Sequence, residues 1–404
     1  MPHCPTHHRL PTLQLLASGC LLAAATCATA QEEASPYYVG VSQAFTHESN
    51  LRRTATNEIS ETISSTGVLA GVNQRFGRQR LRADASAQTN RYRTDSTLDN
   101  KSYGLAAELN WETVEFLSGT VRYNTRNSLT NFARDTGDTI ISDLTTDEAA
   151  ATVRYGVTSY LALDAGFTHR KLKYDNPELS DRNFSQDTVN AGVNWIVGAK
   201  LTLGVALRST KGDTPEYRVT PDASPANDEL KRRDVDLLAT WVPSGFSTFN
   251  VRVSSTKETR SLATTGELSE TTGLISWAYQ PTGRLNFTTS LSRDTGAETT
   301  FAASSAAGPR TEAVDNNRLS NTLSLETRYS LTGKSALNAS LRHRSGTQSD
   351  SRKETLKTYL LGGTYNATRN ITLACSVTRE SRDVESNPAY RTTITGCSGE
   401  LSLR

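Results

Sequence analysis

Beyond residue 30 the sequence has no run of eighteen or more apolar residues, which excludes a membrane protein built from helices. It lacks a dominant charge as well. Its 44 Lys and Arg face 42 Asp and Glu for a net +2, so no strong field draws it to nucleic acid. Histidine is scarce: beyond the first thirty residues come His47, His169 and His343, and nothing in the sequence ties them to a nucleophile or an activating carboxylate. Walker-type loops, EF-hands and paired-cysteine zinc patterns are missing too. The expectation is a protein that is not an enzyme, with no catalytic residue, no metal site and no cofactor. None of this excludes a membrane β-barrel, whose alternating strands average out polar, as the mean hydropathy of −0.50 does.

What is present begins with a leader. A short basic region ends at Arg9, residues 13–26 form an apolar core, and Ala28-Thr29-Ala30 reads as a cleavage site before Gln31. The expected organisation is a cleaved signal peptide over 1–30 and a single exported barrel domain over 31–404. Leu16-Ala17-Ser18-Gly19-Cys20 faintly resembles a lipobox, but cleavage there would leave an apolar scar over 21–25, which argues against lipidation. Cys4, Cys20 and Cys27 leave with the leader, so Cys375 and Cys397 remain as an even pair in an oxidising compartment.

From there the dominant period is two. Leu201, Leu203, Val205 and Leu207 alternate with Thr202, Gly204, Ala206 and Arg208, and Ile371, Leu373, Cys375 and Val377 alternate with Thr372, Ala374, Ser376 and Thr378. Such alternation means strands with one apolar and one polar face. Short turns fall near Gly77-Arg78, Thr113-Val114, Ser159, Gly198-Ala199, Pro243-Ser244-Gly245, Pro281-Thr282-Gly283, Thr332-Gly333 and Ala367-Thr368. Longer polar stretches at 47–60, 94–100, 128–146, 174–186, 211–231, 261–267, 296–316, 347–353 and 382–389 alternate with them. The prolines beyond residue 30 all fall outside the strand interiors of this scheme. Short turns on one side and long loops on the other are the outer-membrane pattern, whereas a soluble all-β array shows no such asymmetry. The spacing predicts an antiparallel up-and-down transmembrane β-barrel of about eighteen strands in the bacterial outer membrane, with outer-membrane lipid as a partner. Trp111, Trp195, Trp241 and Trp277 all lie beside short turns with apolar parity, as do Phe76, Tyr155, Tyr279, Tyr329 and Tyr365, which predicts an aromatic girdle at one interface.

The polar faces carry Arg82, Arg122, Arg154, Arg170, Arg208, Arg252, Arg328, Arg342 and Arg344, interspersed with Asp84, Glu108, Glu148, Asp164, Asp236 and Glu326. A charge-balanced lumen lining accounts for them. So does a conduit in which the arginine forks contact carboxylates or other oxyanions of a passing polymer. The two cysteines follow from the last hairpin. If its loop centres near Ser386, residue i lies opposite 772 − i, which sets Cys375 across from Cys397 on the outward face and predicts a disulfide.

Several segments resemble one family. Val39 to Leu51 (VGVSQAFTHESNL) looks like its opening strand running into an acidic Asn-Leu loop. Gly77-Arg78-Gln79-Arg80-Leu81 with Asp84-Ala85-Ser86, Tyr92 and Leu98-Asp99 is similar to its second hairpin, and Ser128-Leu129-Thr130-Asn131-Phe132 resembles a later loop motif. The family is the EpsL-type outer-membrane β-barrel of exosortase-associated exopolysaccharide clusters, and the similarity is clearest over 37–220. The resemblance implies a role in exopolysaccharide biosynthesis and export, with extracellular polysaccharide and other polysaccharide-export components as partners. Two features depart from the family. The acidic run before Asn50 is reduced to His47-Glu48-Ser49, and the chain ends Leu401-Ser402-Leu403-Arg404 without a terminal aromatic. A polysaccharide conduit is the leading expectation. A porin-like channel for small solutes and a structural or adhesive barrel that holds polymer at the cell surface are the alternatives.

Overall fold

A computed structural model describes residues 35–133, 139–218, 224–262, 267–295, 317–348, 352–385 and 389–403. The expected leader over 1–30 lies outside them. The first nine strands are β1 (Tyr37–Glu48), β2 (Glu61–Phe76), β3 (Gln79–Tyr92), β4 (Asn100–Glu112), β5 (Leu117–Ala133), β6 (Thr139–Thr158), β7 (Leu161–Tyr174), β8 (Phe184–Val197) and β9 (Leu201–Tyr217). The others are β10 (Ala226–Ser244), β11 (Ser247–Arg260), β12 (Leu268–Thr282), β13 (Leu285–Thr295), β14 (Asn317–Ser330), β15 (Ser335–Gln348), β16 (Lys353–Asn366), β17 (Ile371–Val384) and β18 (Tyr390–Leu403). Each pairs antiparallel with its chain neighbours, and β1 also pairs with β18, so the 18-stranded sheet closes on itself. Closure removes the unpaired edges that an open sheet would present to lipid.

The register decides which side chains face out. Val41 lies opposite Val68 and Leu401, Leu237 opposite Val205 and Val253, and Leu291 opposite Ile275 and Leu323. Along the paired strands the outward set is odd-numbered everywhere except β2, where the first long connection shifts the parity to even. These apolar residues stay open: Leu237 is 57% exposed, Leu207 64% and Leu361 63%. So large a continuous apolar surface is a lipid contact. At its short-turn edge Trp241, Phe249, Trp277 and Phe287 stand beside one another on β10 to β13, with ring centroids 5.4, 5.7 and 5.6 Å apart in sequence. Trp111 and Trp195 share that edge, opposite Gly119 and Leu203. At Gly119 a Cβ would strike the Trp111 ring, so glycine there makes room for the indole. The girdle therefore lies at the periplasmic edge, where barrels of this class keep their short turns.

Basic side chains stitch those turns together. Arg78 donates to the Thr113 carbonyl at 2.8 Å, Lys200 to Pro243 at 3.2 Å and Lys334 to Ala367 at 3.2 Å. Gly77 (φ +61°) and Gly198 (φ +65°) supply the left-handed backbone that two of these turns require.

Two expectations need correction. Pro215, Pro243 and Pro281 lie within β9, β10 and β12 rather than outside the strands. Each falls at a break in register, between Thr214 and Tyr217, Trp241 and Ser244, and Tyr279 and Thr282, where the ladder does not need the missing N–H. The polar stretches 128–146 and 211–231 are largely strand, since β5 and β6 pair out to Ala133 and Thr139 and β9 and β10 out to Tyr217 and Ala226. Above the membrane a hairpin needs no apolar face, so polarity alone does not end it. The terminal hairpin follows the expected register, with Cys375 directly opposite Cys397, disulfide-bonded, at a Cα–Cα distance of 4.1 Å.

Candidate functional site: the lumen

Even-numbered side chains of β1 and β3 to β18, with the odd ones of β2, line the interior. All nine expected arginines have this parity, but they fall into two groups by height. Arg82, Arg122, Arg154 and Arg328 stand in the short-turn half and are exposed. Arg122 reaches Glu108 at 2.9 Å with its side chain still 58% exposed, and Arg154 reaches Asp164 at 3.5 Å while 48% exposed. Exposed pairs of this kind contribute little to stability, about 0–1 kcal/mol.

The same half holds a basic cluster that the spacing alone did not single out. Arg75 on β2 lies directly opposite Arg80 on β3, and Arg82 is the next inward residue on β3. Like charges placed directly across a ladder repel. Arg80 donates to the Asn73 side chain at 2.9 Å, and the nearby carboxylates are occupied: Asp84 accepts from the Tyr38 hydroxyl at 2.6 Å and Glu108 from Arg122 and Asn110. Among the described residues Arg75, Arg80 and Arg82 form no ion pair. The repeated arginines of RFGRQRLR were the available signal, and only the turn at Gly77-Arg78 folds them onto one inward face.

Toward the long connections the lining is packed. Arg170 bonds Glu148 at 2.8 Å. Arg232, a residue outside the expected set, has a side chain 1% exposed and donates to Asp234 (2.9 Å), Thr295 (2.9 Å) and Asp294 (3.0 Å). Asp294 also takes Arg252 at 2.7 Å, while Asp234 and Asp236 hold Arg208 at 3.5 and 3.3 Å. Thr256 completes the network with a 2.6 Å bond to Asp234. Arg344 is 2% exposed and Arg342 half-buried. Of the nine arginines, Arg170, Arg208, Arg252, Arg342 and Arg344 are thus held in the wall, and the other four are open to the lumen.

The first long connection forms a strap at the same end. Ser49 N–H donates to the Thr393 carbonyl at 3.0 Å and Ser49 Oγ accepts from Thr393 N–H at 2.9 Å. Asn50 is fully buried; its amide donates to the Thr54 (2.7 Å) and Arg391 (3.1 Å) carbonyls and accepts from Thr54 N–H (3.1 Å). Arg53, at φ 51°, reaches Glu48 at 3.3 Å and Glu380 at 2.9 Å. Burial opposes its charge, but Glu380 and Tyr390 beside it outweigh that and hold its pKa above the ordinary arginine value. Leu51 packs with Ile63 and Tyr92, joined by Leu98 and Leu129, and Asp99 accepts from Tyr92 N–H at 2.7 Å. A second cluster gathers Ile140, Leu144, Leu172, Tyr174 and Leu179 with Phe184. His169 faces outward, bonded to Asp187 at 2.7 Å, away from the lumen.

No family model matches the chain, and no curated protein does. Among solved structures it is similar to OpdK of Pseudomonas aeruginosa with vanillate, at 13% identity and TM-score 0.48 over 91% of this chain and 99% of that one. It is similar to OccK2 (OpdF) of the same organism in complex with glucuronate, at 13% identity and TM-score 0.48 over 91% and 98%. It is also similar to OpdQ of that organism, at 12% identity and TM-score 0.47 over 91% and 99%. Likeness at this level concerns the wall of the barrel and not what passes through it. The closed sheet, the lipid-facing belt and the aromatic edge together place the chain in the bacterial outer membrane.

Proposed function

We infer that the barrel is a porin-like channel for acidic solutes, with its anion-collecting mouth on the periplasmic side. The observation that supports this is the facing pair Arg75 and Arg80 with Arg82 beside them, inward and in no ion pair among the described residues; Glu108, opposite Arg82, is already bonded to Arg122 and Asn110. Holding like charges opposite one another destabilises a ladder, and a passing carboxylate or phosphate relieves that repulsion. Exposed Arg328, opposite Asn286 and Asn338, adds to the basic lining, and Arg122 and Arg154 stay exposed beside Glu108 and Asp164. An eighteen-stranded sheet is also wide enough to leave an aqueous channel. No step of chemistry is assigned to it.

A polysaccharide conduit of the EpsL type is the second reading. It is favoured by the way the residues behind that resemblance gather: Glu48, Asn50, Leu51, Tyr92, Leu98, Asp99 and Leu129 all belong to the strap or the cluster beneath it.

Planar-bilayer recording under a salt gradient tests both. The channel should favour anions, and the Arg75→Ser/Arg80→Ser/Arg82→Ser variant should lose most of that preference. Equal permeability to anion and cation in the parent protein would sink the proposal. A polyuronate added on the periplasmic side, with neutral dextran of the same length as control, separates the readings. Reversible block by the polyuronate alone supports the conduit, and indifference to both polymers supports the small-solute channel. Polymer binding without conductance would mean an adhesive barrel.

A further inference from the structure

The outer wall carries a second cationic surface, on the opposite face from the lumen and at the opposite height from the girdle. On β10 the outward side chains run Trp241, Ala239, Leu237, Val235, and then Arg233, Lys231 and Glu229. Trp241 and Arg233 are eight residues apart, about 27 Å along a strand. At a tilt of about 40° that is roughly 20 Å across the membrane, close to the ~25 Å apolar band of such barrels. With the tryptophan at the periplasmic edge, Arg233 falls at the outer-leaflet headgroups.

Its neighbours are cationic as well. Lys231 lies directly opposite Lys211 on β9, and Arg233 directly opposite Lys257 on β11, so two like-charge pairs stand side by side on three strands. All four side chains are exposed. Lys231 contacts Glu229 at 3.1 Å and Lys257 contacts Glu267 at 2.8 Å. Among the described residues Lys211 and Arg233 form no ion pair. Asp187, opposite Lys211 on β8, is taken by His169. Further from the belt Asp213 and Glu229 face each other. The wall is therefore layered as apolar, then cationic, then acidic.

Neither fold nor lumen accounts for the cationic layer. It points away from the channel, and cross-strand lysine pairs weaken a ladder. Its height matches the phosphates of lipid headgroups, and the alkyl stems can lie along the belt while their heads reach those phosphates. We propose that Lys211, Lys231, Arg233 and Lys257 form a binding site for the phosphorylated headgroup of an outer-leaflet lipid, which holds that lipid against β9 to β11.

The test is native mass spectrometry of the folded barrel in neutral detergent, titrated with bis-phosphorylated lipid A, its dephosphorylated counterpart, or inorganic phosphate. The parent protein should retain the phosphorylated lipid and release the other. Each neutralised charge should weaken retention roughly fivefold, at about 1 kcal/mol per basic residue near a charged surface. The Lys211→Gln/Arg233→Gln variant should therefore bind roughly 25-fold more weakly. Should that pair fail to fold, judged by heat-modifiable migration in gels, either single change reads the same contact. Undiminished binding by these variants would overturn the site. Equal retention of the dephosphorylated lipid would do the same, and displacement by inorganic phosphate at matched concentration would reassign it to a free anion.

Discussion

The two ends of the lumen use one residue type in opposite ways. In the periplasmic half arginine stands in solvent, with the Arg122 side chain 58% exposed even as it bonds Glu108 at 2.9 Å. In the outer half Arg232 is 1% exposed and shares Asp234 and Asp294 with Arg208 and Arg252. Both sets have the same parity and face the same interior. Facing inward therefore does not define a role; the burial of each guanidinium does, since Arg252 and Arg122 each meet one carboxylate but with side chains 23% and 58% exposed. The outer set is fastened into the wall, and the inner set is left to meet whatever enters.

This contrast can be broken most directly at its buried side. Asp234→Ala leaves Arg232 and Arg208 buried beside a missing charge and should destabilise the barrel by about 3–5 kcal/mol. Glu108→Ala, the matching change at the open end, should cost at most about 1 kcal/mol. Urea unfolding of the refolded protein in detergent measures both, and equal losses would erase the distinction. Next comes the strap. Asn50→Ala removes a buried amide with its hydrogen bonds to the Arg391 and Thr54 carbonyls and from Thr54 N–H, and should cost about 1–3 kcal/mol at roughly 1 kcal/mol per bond. It should also speed hydrogen exchange at Thr54, and unchanged exchange there would show that the strap is not held through Asn50. The smallest effect belongs to the basic cluster. Arg75→Ser removes a like-charge contact with Arg80 and should leave stability the same or raise it by up to about 0.5 kcal/mol, in keeping with the few tenths typical of cross-strand pairs. A clear loss of stability would make Arg75 a structural residue and undo the inner half of the comparison.

Much of the fold could be read from the alternation, because period two at this length leaves few alternatives to a closed sheet. The girdle tryptophans and the register of Cys375 with Cys397 followed from parity and from the length of one hairpin loop. Three things escaped. The polar hairpins of β5–β6 and β9–β10 read as loops because above the membrane a strand loses its apolar signature. Pro215, Pro243 and Pro281 read as turn or loop residues because register breaks leave no mark in composition. The division of the arginines was hidden because Arg232 meets Asp294 across 62 residues, a pairing that no local pattern displays.

The disulfide and the strap differ in when each can form. Cys375 and Cys397 belong to consecutive strands, so their bond can be made on an open hairpin and leaves the choice of partner for β1 untouched. The bonds from Ser49 and Asn50 to Thr393 and Arg391 join the first loop to the last strand, across the seam itself. They can exist only once the two ends of the chain have met. The covalent link therefore asks only for the terminal hairpin, whereas the strap asks for the closed seam. The first belongs to a pair of strands, and the second is a reversible latch that registers whether the whole circle has been completed.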